Sequence, residues 1–387
     1  MSAVVRAPYA VRFAALPPLA LYAHLPWCVR KCPYCDFNSH EKRDALPERE
    51  YVEALTADLE GMLPSVWGRR VVSVFIGGGT PSLFAPESID ALLAAIRARV
   101  PLEPEAEITL EANPGTAEAG RFRGYRAAGV NRISLGIQSF DDAKLQALGR
   151  IHSAAEARRA IEMAQAVFDN INLDIMYGLP EQTLEQARAD ARAALAFGTT
   201  HFCAYQLTLE PNTVFYSKPP PLPAHDTCAD MQLALEALAA EAGFEHYETS
   251  AFARPGRRCR HNLNYWEFGD YLGLGAGAHG KLSFADRVTR HERVKQPREY
   301  MAQAGAVREK PVPPRELPFE FMLNVLRLVE GVPAERFEER TGLPLAAVAR
   351  RLAAAEAAGL LESDPQRIRP TQRGRLFLNE LLQLFLD

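Results

Sequence analysis

The stretch Leu19-Ala-Leu-Tyr-Ala-His-Leu-Pro-Trp-Cys28-Val-Arg-Lys-Cys32-Pro-Tyr-Cys35 decides the fold. Its apolar first half predicts a buried β-strand over residues 19–24, because two prolines precede it as a loop. Three of the chain's six cysteines then follow in a C-x3-C-x2-C pattern. A structural zinc site normally takes four ligands, and a ferredoxin-type cluster normally takes four cysteines. Three sulfurs on a four-iron cluster would leave one iron open.

An open iron of this kind can bind a small chelating molecule. The amino and carboxylate groups of S-adenosylmethionine (SAM) suit it, and SAM bound in this way can be split into a carbon radical. The other cysteines, Cys203, Cys228 and Cys259, are scattered and predicted to be isolated buried thiols. In a reducing compartment, clustered thiols indicate a metal or catalysis rather than disulfides.

Composition places the chain among ordinary globular proteins. Of 387 residues, 48% are hydrophobic and 24% charged, and the net charge of −4 argues against a nucleic-acid-binding surface. No apolar run is long enough to span a membrane, and residues 1–16 lack the pattern of a signal peptide. We therefore expect a cytoplasmic protein. Contact with the inner membrane surface and the oligomeric state stay open.

Strand-like and helical patterns alternate from residue 19 to about 210, which predicts a parallel sheet with helical crossovers. Six units are too few for a closed eightfold barrel, so we expect an α/β fold built on an open, partial (β/α)6 barrel. The predicted strands are 19–24, 71–76, 107–111, 132–137, 170–175 and 201–207. The predicted helices are 48–63, 87–99, 117–128, 154–167 and 184–197.

The domain boundaries follow from changes in pattern. We expect an N-terminal extension over 1–16, the barrel over 17–243, a mixed α/β extension over 244–314 and a small helical module over 315–387. The module predicts helices at 318–329, 333–340 and 345–358, a short hairpin, and a last helix over 372–385. This outline is winged-helix-like. Its candidate recognition helix contains only two basic residues, Arg350 and Arg351, which favours a packing or lid role over DNA binding.

Polar and glycine motifs follow the predicted strands. Gly77-Gly-Gly-Thr80-Pro81 comes after the second strand and would let backbone N–H groups approach a ligand, although a plain tight turn is the alternative. Glu111, Gln138 and Asp174 end the next three strands. One such residue is usually a helix cap or a solvated rim, but three in succession predict a ligand site at the carboxyl ends of the strands.

These segments carry a resemblance. Together with Phe75-Ile-Gly-Gly-Gly-Thr80-Pro, Val130-Asn-Arg-Ile-Ser-Leu-Gly-Ile-Gln138 and Asn172-Leu-Asp174-Ile-Met-Tyr-Gly-Leu-Pro180, the cysteine stretch resembles the radical SAM family that contains oxygen-independent coproporphyrinogen III dehydrogenase. The likeness covers roughly residues 19–285 and continues into the C-terminal module. It implies a [4Fe-4S] cluster on Cys28, Cys32 and Cys35. It also implies SAM contacts from Tyr22, Tyr34, Gly78, Gly79, Thr80 and Glu111. Gln138, Arg150 and Asp174 match positions for a second SAM or a neighbouring substrate, and Gln206 and Ala278 match more loosely.

One departure distinguishes two subfamilies. The dehydrogenase pattern has a further cysteine two residues after the third, where this chain has Phe37. The chain instead resembles the paralogous HemW group, regarded as chaperones that bind haem and deliver it to acceptor proteins. His261-Asn262-Leu-Asn-Tyr265-Trp266 matches that group's H-N-x-x-Y-W motif, which is associated with haem. A histidine can ligate haem iron, and aromatic rings can stack on the macrocycle. A histidine packed in a loop is the alternative, and His24, His152, His246 and His279 are other candidate ligands.

Three hypotheses follow. The first is a radical SAM haem chaperone that serves respiratory acceptor proteins. The second is a dehydrogenase that decarboxylates coproporphyrinogen propionates with a 5′-deoxyadenosyl radical. The third is a zinc protein that uses the three cysteines with His24 or His40. Phe37 and the H-N-x-x-Y-W segment favour the first, so whether the chain is an enzyme stays open.

Overall fold

A computed structural model describes residues 9–116 and 119–386. The first eight residues of the predicted extension and the first two of the predicted helix 117–128 lie outside the described residues. The strands are β1 Leu19–Leu25, β2 Trp27–Cys28, β3 His40–Glu41, β4 Val71–Gly78, β5 Leu102–Ala112, β6 Arg132–Gln138, β7 Ile171–Tyr177, β8 His201–Gln206, β9 Glu245–Glu248, β10 Ala251–Ala253, β11 Asp270–Leu274, β12 His279–Phe284, β13 Arg287–Glu292, β14 Arg308–Pro311, β15 Val332–Pro333 and β16 Arg367–Ile368.

The helices cover the outer face of the sheet and build the C-terminal region. They are α1 Glu48–Val66, α2 Pro86–Arg99, α3 Ala119–Ala128, α4 Asp142–Ala147, α5 Ala154–Gln165, α6 Leu184–Ala196, α7 Val214–Ser217, α8 His225–Glu241, α9 Arg260–Trp266, α10 Pro297–Ala302, α11 Leu317–Val325, α12 Arg336–Thr341, α13 Ala349–Ala357, α14 Gln372–Leu376 and α15 Leu378–Gln383. Reciprocal capping boxes start α5 at Ser153 and α6 at Thr183, which explains why the predicted starts of both helices are correct.

The six predicted strands are confirmed as a parallel ladder. β1, β4, β5, β6, β7 and β8 are neighbours in chain order, and each pairs in parallel with the next. The partial (β/α)6 barrel is therefore present. β5 begins at Leu102, five residues before the predicted start, because Leu102 already pairs with Val71 of β4; the register then shifts, so that Glu107 lies opposite Ser73.

The sheet is wider than the barrel units alone. In the part of the chain that the structure describes it has twelve strands, in the order β14-β13-β12-β11-β1-β4-β5-β6-β7-β8-β10-β9. β11 pairs in parallel with β1, and β12 to β14 continue as an antiparallel meander. β10 and β9 extend the opposite edge beyond β8. The predicted mixed extension over 244–314 thus adds strands to both edges of the barrel sheet.

Alternation along each central strand separates an apolar face from a polar one. On β6, Ile133, Leu135 and Ile137 are buried in the main apolar core beneath the helices. The alternate residues Arg132, Ser134 and Gly136 line a cavity inside the barrel. The barrel interior is therefore polar, and the apolar core lies outside it.

The C-terminal region differs in detail from its predicted outline. The predicted helix over 345–358 starts as a 3-10 turn, and the predicted last helix is interrupted at Phe377. β15 and β16 form a short antiparallel pair. A second apolar cluster joins Phe321, Phe337 and Leu381 of this region to Val11 and Phe268. Among the described helices, none has the length and apolar character needed to cross a membrane.

Candidate functional site

A cavity of about 400 Å³ opens at the carboxyl ends of the central strands. Its wall combines the cysteine loop, the glycine loop and polar side chains from four successive strands, β5 to β8. The sequence-predicted residues that line it are Cys28, Cys32, Tyr34, Cys35, Gly78, Gly79, Thr80, Glu111, Gln138, Arg150, Asp174, Gln206 and Asn262. The structure thus brings thirteen predicted residues to one place, as expected for ligands at the carboxyl edge of a parallel sheet.

The cysteine loop is closed at its base by backbone hydrogen bonds. The N–H of His40 donates to the Pro26 carbonyl at 2.7 Å, and the N–H of Lys42 donates to the Cys28 carbonyl at 2.8 Å. Burial raises the pKa of the Cys28 and Cys35 thiols, which favours their neutral forms. A bound cation would oppose this effect, because it stabilises the thiolates.

The donor set fits an iron cluster better than a single zinc ion. All three loop cysteines face the same cavity. Yet, within residues 9–116 and 119–386, no three Cys, His, Asp or Glu side chains converge closely enough to hold one metal ion. In a four-iron cluster each cysteine binds a different iron, so the sulfurs need not meet at one point. A structural zinc site needs four donors at one centre, and the described part of the chain contains no such group of donors.

The glycine loop packs directly on the cysteine loop. The N–H of Gly79 donates to the Leu25 carbonyl at 2.9 Å, and the N–H of Thr80 donates to the Trp27 carbonyl at 2.8 Å. A Cβ at Gly79 would lie 2.6 Å from the Trp27 carbonyl oxygen, which leaves no room for any side chain. Gly78 adopts φ 124°, in the region that favours glycine. Both positions therefore require glycine on steric grounds alone.

Two half-buried carboxyl groups lie across the cavity floor. Glu111 accepts a hydrogen bond from the Gly78 N–H at 3.1 Å, and burial together with the nearby Asp174 raises its pKa to about 7. Asp174 accepts from Ser134 Oγ at 2.9 Å and from Asn172 Nδ2 at 2.8 Å. Burial raises the pKa of Asp174, and these hydrogen bonds oppose the shift. The floor can therefore accept hydrogen bonds from amino or ribose hydroxyl groups.

Gln138 and Arg150 form the opposite wall. Gln138 has φ 68°, a left-handed conformation that costs a non-glycine residue about 1 kcal/mol or more. A bulge between Gly136 and Gln138 turns this strand end toward the cavity. Arg150 donates to the Gly136 carbonyl at 2.8 Å, and its Nη1 lies 3.8 Å from Cys32 Sγ. A fixed positive charge therefore lies beside the cysteine loop.

Three predicted contacts lie away from the cavity wall. Tyr22 lies behind it, with its hydroxyl 2.9 Å from His24 Nδ1 and its ring stacked on Phe75 at 6.2 Å. Ala278 is buried in the turn between β11 and β12, where its N–H donates to the Gly275 carbonyl at 3.0 Å. Trp266 lies beneath the Arg327 guanidinium, whose carbon is 4.4 Å from the ring centroid. Their proposed ligand roles stay predictions.

Helix α9 divides the H-N-x-x-Y-W motif between two environments. His261 lies under the barrel, with Nδ1 3.1 Å from Ser73 Oγ and its ring 4.9 Å from that of Phe75. Its backbone N–H donates to Glu107 at 3.2 Å, and burial followed by the charge of Arg132 lowers the imidazole pKa to about 3. Tyr265 instead contacts Tyr271 of β11, with ring centroids 5.0 Å apart. The two ends of the motif therefore pack against different strands, β4 and β11.

Several cavity residues escaped sequence reasoning. Arg132, Ser134 and Asn172 support the carboxyl groups, and Arg30 and Tyr205 lie at the cavity's mouth. The spacing of two residues between Arg132, Ser134 and Gly136 was an available signal, because alternate residues of a strand share one face. No comparable signal existed for Tyr205, which ends a strand without a recognisable motif.

The chain is similar to known proteins over most of its length. The model of the radical SAM superfamily matches residues 22–194, and that of the HemN C-terminal domain matches residues 312–377. Heme chaperone HemW of Haemophilus influenzae is 50% identical over 377 residues, covering 96% of this chain and 98% of that protein. Heme chaperone HemW of Escherichia coli is 48% identical, covering 96% and 99%.

One solved structure shares the fold over nearly the whole chain. It is the coproporphyrinogen III oxidase HemN from Escherichia coli, described as a radical SAM enzyme, with a TM-score of 0.80 and 23% identity. The match covers 96% of this chain and 90% of that chain. At this identity the likeness establishes the architecture, including the C-terminal region, and nothing about the reaction.

Proposed function

The chain belongs to the radical SAM superfamily and, within it, to the Heme chaperone HemW family, and from this premise we propose that it binds haem and passes it to acceptor proteins. The observation that carries the proposal is the 50% identity to a protein named a haem chaperone, over 96% of this chain. Phe37 supports it, because a phenyl ring replaces the fourth cysteine of the dehydrogenase pattern.

The cavity fits the cofactors of the superfamily. Cys28, Cys32 and Cys35 would hold a [4Fe-4S] cluster, whose open iron would supply a site for the amino and carboxylate groups of SAM. Gly78 and Gly79 let the glycine loop pack directly on the cysteine loop, and Glu111 offers an acceptor on the floor. Arg150 fixes a positive charge next to Cys32. These side chains would bind and orient the ligand.

A second candidate function is decarboxylation of coproporphyrinogen. Gln138, Arg150 and Asp174, which match dehydrogenase positions, all line the same cavity. An enzyme of the family that turns over coproporphyrinogen would need such an arrangement. The chaperone proposal ranks ahead, because the dehydrogenase cysteine is replaced and the likeness to the oxidase is at the level of fold.

One reconstituted sample tests both proposals. Protein purified without oxygen should contain about four irons per chain, and a Cys32→Ser variant should lose most of them. Haem titration should shift the Soret band with saturating stoichiometry, and haem should then move to an apo-acceptor protein. Supplied with reductant, SAM and coproporphyrinogen, the same sample should form no protoporphyrinogen. Turnover without haem transfer would establish the second function and overturn the first.

The proposed partners follow from the same reasoning. We expect acceptor proteins of respiratory type that receive haem at the surface of the chain, in the cytoplasm. The net charge of −4 gives no support for a nucleic-acid partner.

A further inference from the structure

Exposed apolar side chains surround the mouth of the cavity. Phe37 and Tyr205 line the cavity and are 59% and 40% exposed. Val29 and Ile151 line a crevice that shares Arg30, Cys32 and Arg150 with it. Large apolar side chains this exposed are notable when they cluster, because such a cluster often marks a binding surface. We call the exposed apolar surface in this region the mouth patch; it consists of Val29, Phe37, Ile151, Tyr205, Val214 and Tyr216.

Helix α7 belongs to the same patch, because it is attached to the cysteine loop. The N–H of Phe215 donates to the Pro33 carbonyl at 3.0 Å, and the Phe215 ring lies 6.4 Å from that of Tyr34. Phe215 is buried by these contacts, whereas its neighbours Val214 and Tyr216 are each 57% exposed. The patch is thus assembled from four separate segments around one opening.

The charge beside the patch indicates an acidic partner group. Arg30 is exposed and lines both the cavity and the crevice. It makes no ion pair with the residues that the structure describes. An unpaired guanidinium at the edge of an apolar surface fits a carboxylate held on a flat apolar body. A tetrapyrrole has this combination, with a macrocycle that stacks on aromatic rings and carboxylates at its edge.

Helix α9 offers a smaller exposed surface, because Tyr265, at 37%, is its one exposed aromatic side chain. His261 lies between Ser73 and Phe75 under the barrel, and Trp266 is covered by Arg327. A macrocycle could reach both residues only if α9 left the sheet. That displacement would break the hydrogen bonds from the α9 backbone and from Cys259 Sγ to Glu107, at 3.2 and 3.3 Å.

We propose that haem docks on the mouth patch, with the macrocycle on Phe37 and Tyr205 and a carboxylate on Arg30. The inference rests on the proposed function and locates haem at the cavity mouth rather than on α9. Haem bound there would lie over the cysteine loop, close to the cluster and SAM. In this arrangement the H-N-x-x-Y-W segment has a structural role, because it packs against the barrel strand β4.

The test uses protoporphyrin IX, which lacks iron and so reports macrocycle docking without an axial ligand. Fluorescence titration of cluster-loaded protein should show Phe37→Ser weakening the affinity about tenfold, because one stacked aromatic contact is lost. Arg30→Gln should weaken it about threefold to tenfold. Trp67→Ser and Arg123→Gln are matched controls, since Trp67 is 81% exposed on the surface beyond α1 and Arg123 is exposed on α3. Both controls should leave the affinity unchanged.

Each outcome separates the inference from the function. If the native protein binds haem and porphyrin, and Tyr265→Ser and His261→Ala weaken binding while Phe37→Ser and Arg30→Gln do not, the docking site is wrong and the chaperone function stands. If the native protein binds neither ligand, the function itself fails. If Phe37→Ser loses iron but keeps its porphyrin affinity, Phe37 only shields the cluster, and the inference is overturned.

Discussion

At the scale of single residues, the cavity is marked by groups that are held in unfavourable states. Gln138 adopts a left-handed backbone conformation, and Glu111 has a pKa raised to about 7. Both conditions destabilise the fold, so other contacts must maintain them. Such residues concentrate at binding sites, since a ligand can relieve what the empty protein tolerates. The strand-end motifs therefore point to binding more strongly in the structure than in the sequence.

Glu111→Gln should stabilise the protein at high pH. The folded state keeps the Glu111 proton up to about pH 7, whereas the unfolded state releases it near pH 4.5. The contribution of Glu111 to the stability of the fold is thus fully present below pH 4.5, and it is lost as the pH rises through 7. The variant lacks this titration, and its amide oxygen can still accept from the Gly78 N–H.

The measurement is urea denaturation of the SAM-free protein at pH 5 and pH 8. At pH 8 we expect the free energy of unfolding of the variant to exceed that of the native protein by about 1–3 kcal/mol. At pH 5 the difference should be clearly smaller. Glu53→Gln on the exposed face of α1 is the control and should change neither value. Equal gains at the two pH values would contradict the pKa assignment. SAM affinity of Glu111→Gln should fall, because a carboxylate acceptor is lost.

At the scale of elements, a buried ion pair joins α1 to the segment after β13. Arg293 donates to Asp58 Oδ1 at 2.8 Å from Nη2 and at 3.0 Å from Nε. The hydroxyl of Tyr300 on α10 donates to Asp58 Oδ2 at 2.8 Å. Asp58 and Arg293 are almost completely buried, so each charge depends on the other. This contact holds the antiparallel edge of the sheet beside β1.

Asp58→Asn should therefore destabilise the protein strongly. We expect a loss of about 3–5 kcal/mol in the free energy of unfolding, since the variant leaves the Arg293 charge buried without its partner. Chemical denaturation followed by circular dichroism measures it, with Glu53→Gln on the same helix as the matched control. A loss below about 1 kcal/mol would mean that water reaches Arg293 and that the edge is not anchored by this pair.

At the scale of the whole molecule, the barrel and the C-terminal region share contacts across their boundary. Glu248 ends β9, is almost completely buried and pairs with Arg327 at 3.3 Å. The Arg327 guanidinium also covers Trp266 of α9. The second apolar cluster likewise includes Phe268 and Val288, which precede the predicted module. The predicted division at residue 315 stays a prediction, but these contacts favour joint unfolding.

Arg327→Ala tests that coupling. The variant loses the partner of the buried Glu248 carboxylate and the cation over Trp266. The free energy of unfolding should therefore fall by about 2–4 kcal/mol. Burial raises the pKa of Glu248 and Arg327 opposes the shift, so the loss should be larger at pH 8 than at pH 5. Arg315→Ala is the control, because Arg315 is exposed. A single urea transition is expected for both variants, and two separate transitions would contradict the shared core.

The family resemblance supplied several of the cavity residues, such as Tyr34, Gln206 and Asn262. Local patterns in the sequence determined the central strands, the cysteine loop, the glycine loop and the polar strand ends at Glu111, Gln138 and Asp174. They could do so because strand alternation, glycine geometry and cysteine spacing act over a few residues, and because parallel strands bring their carboxyl ends to one edge. Only the tertiary structure decided the rest. It placed β11 beside β1, His261 under β4, and Arg30 with Tyr205 at one opening. These arrangements join residues far apart in the chain, and they depend on which surfaces exclude water together, a property that no local pattern carries.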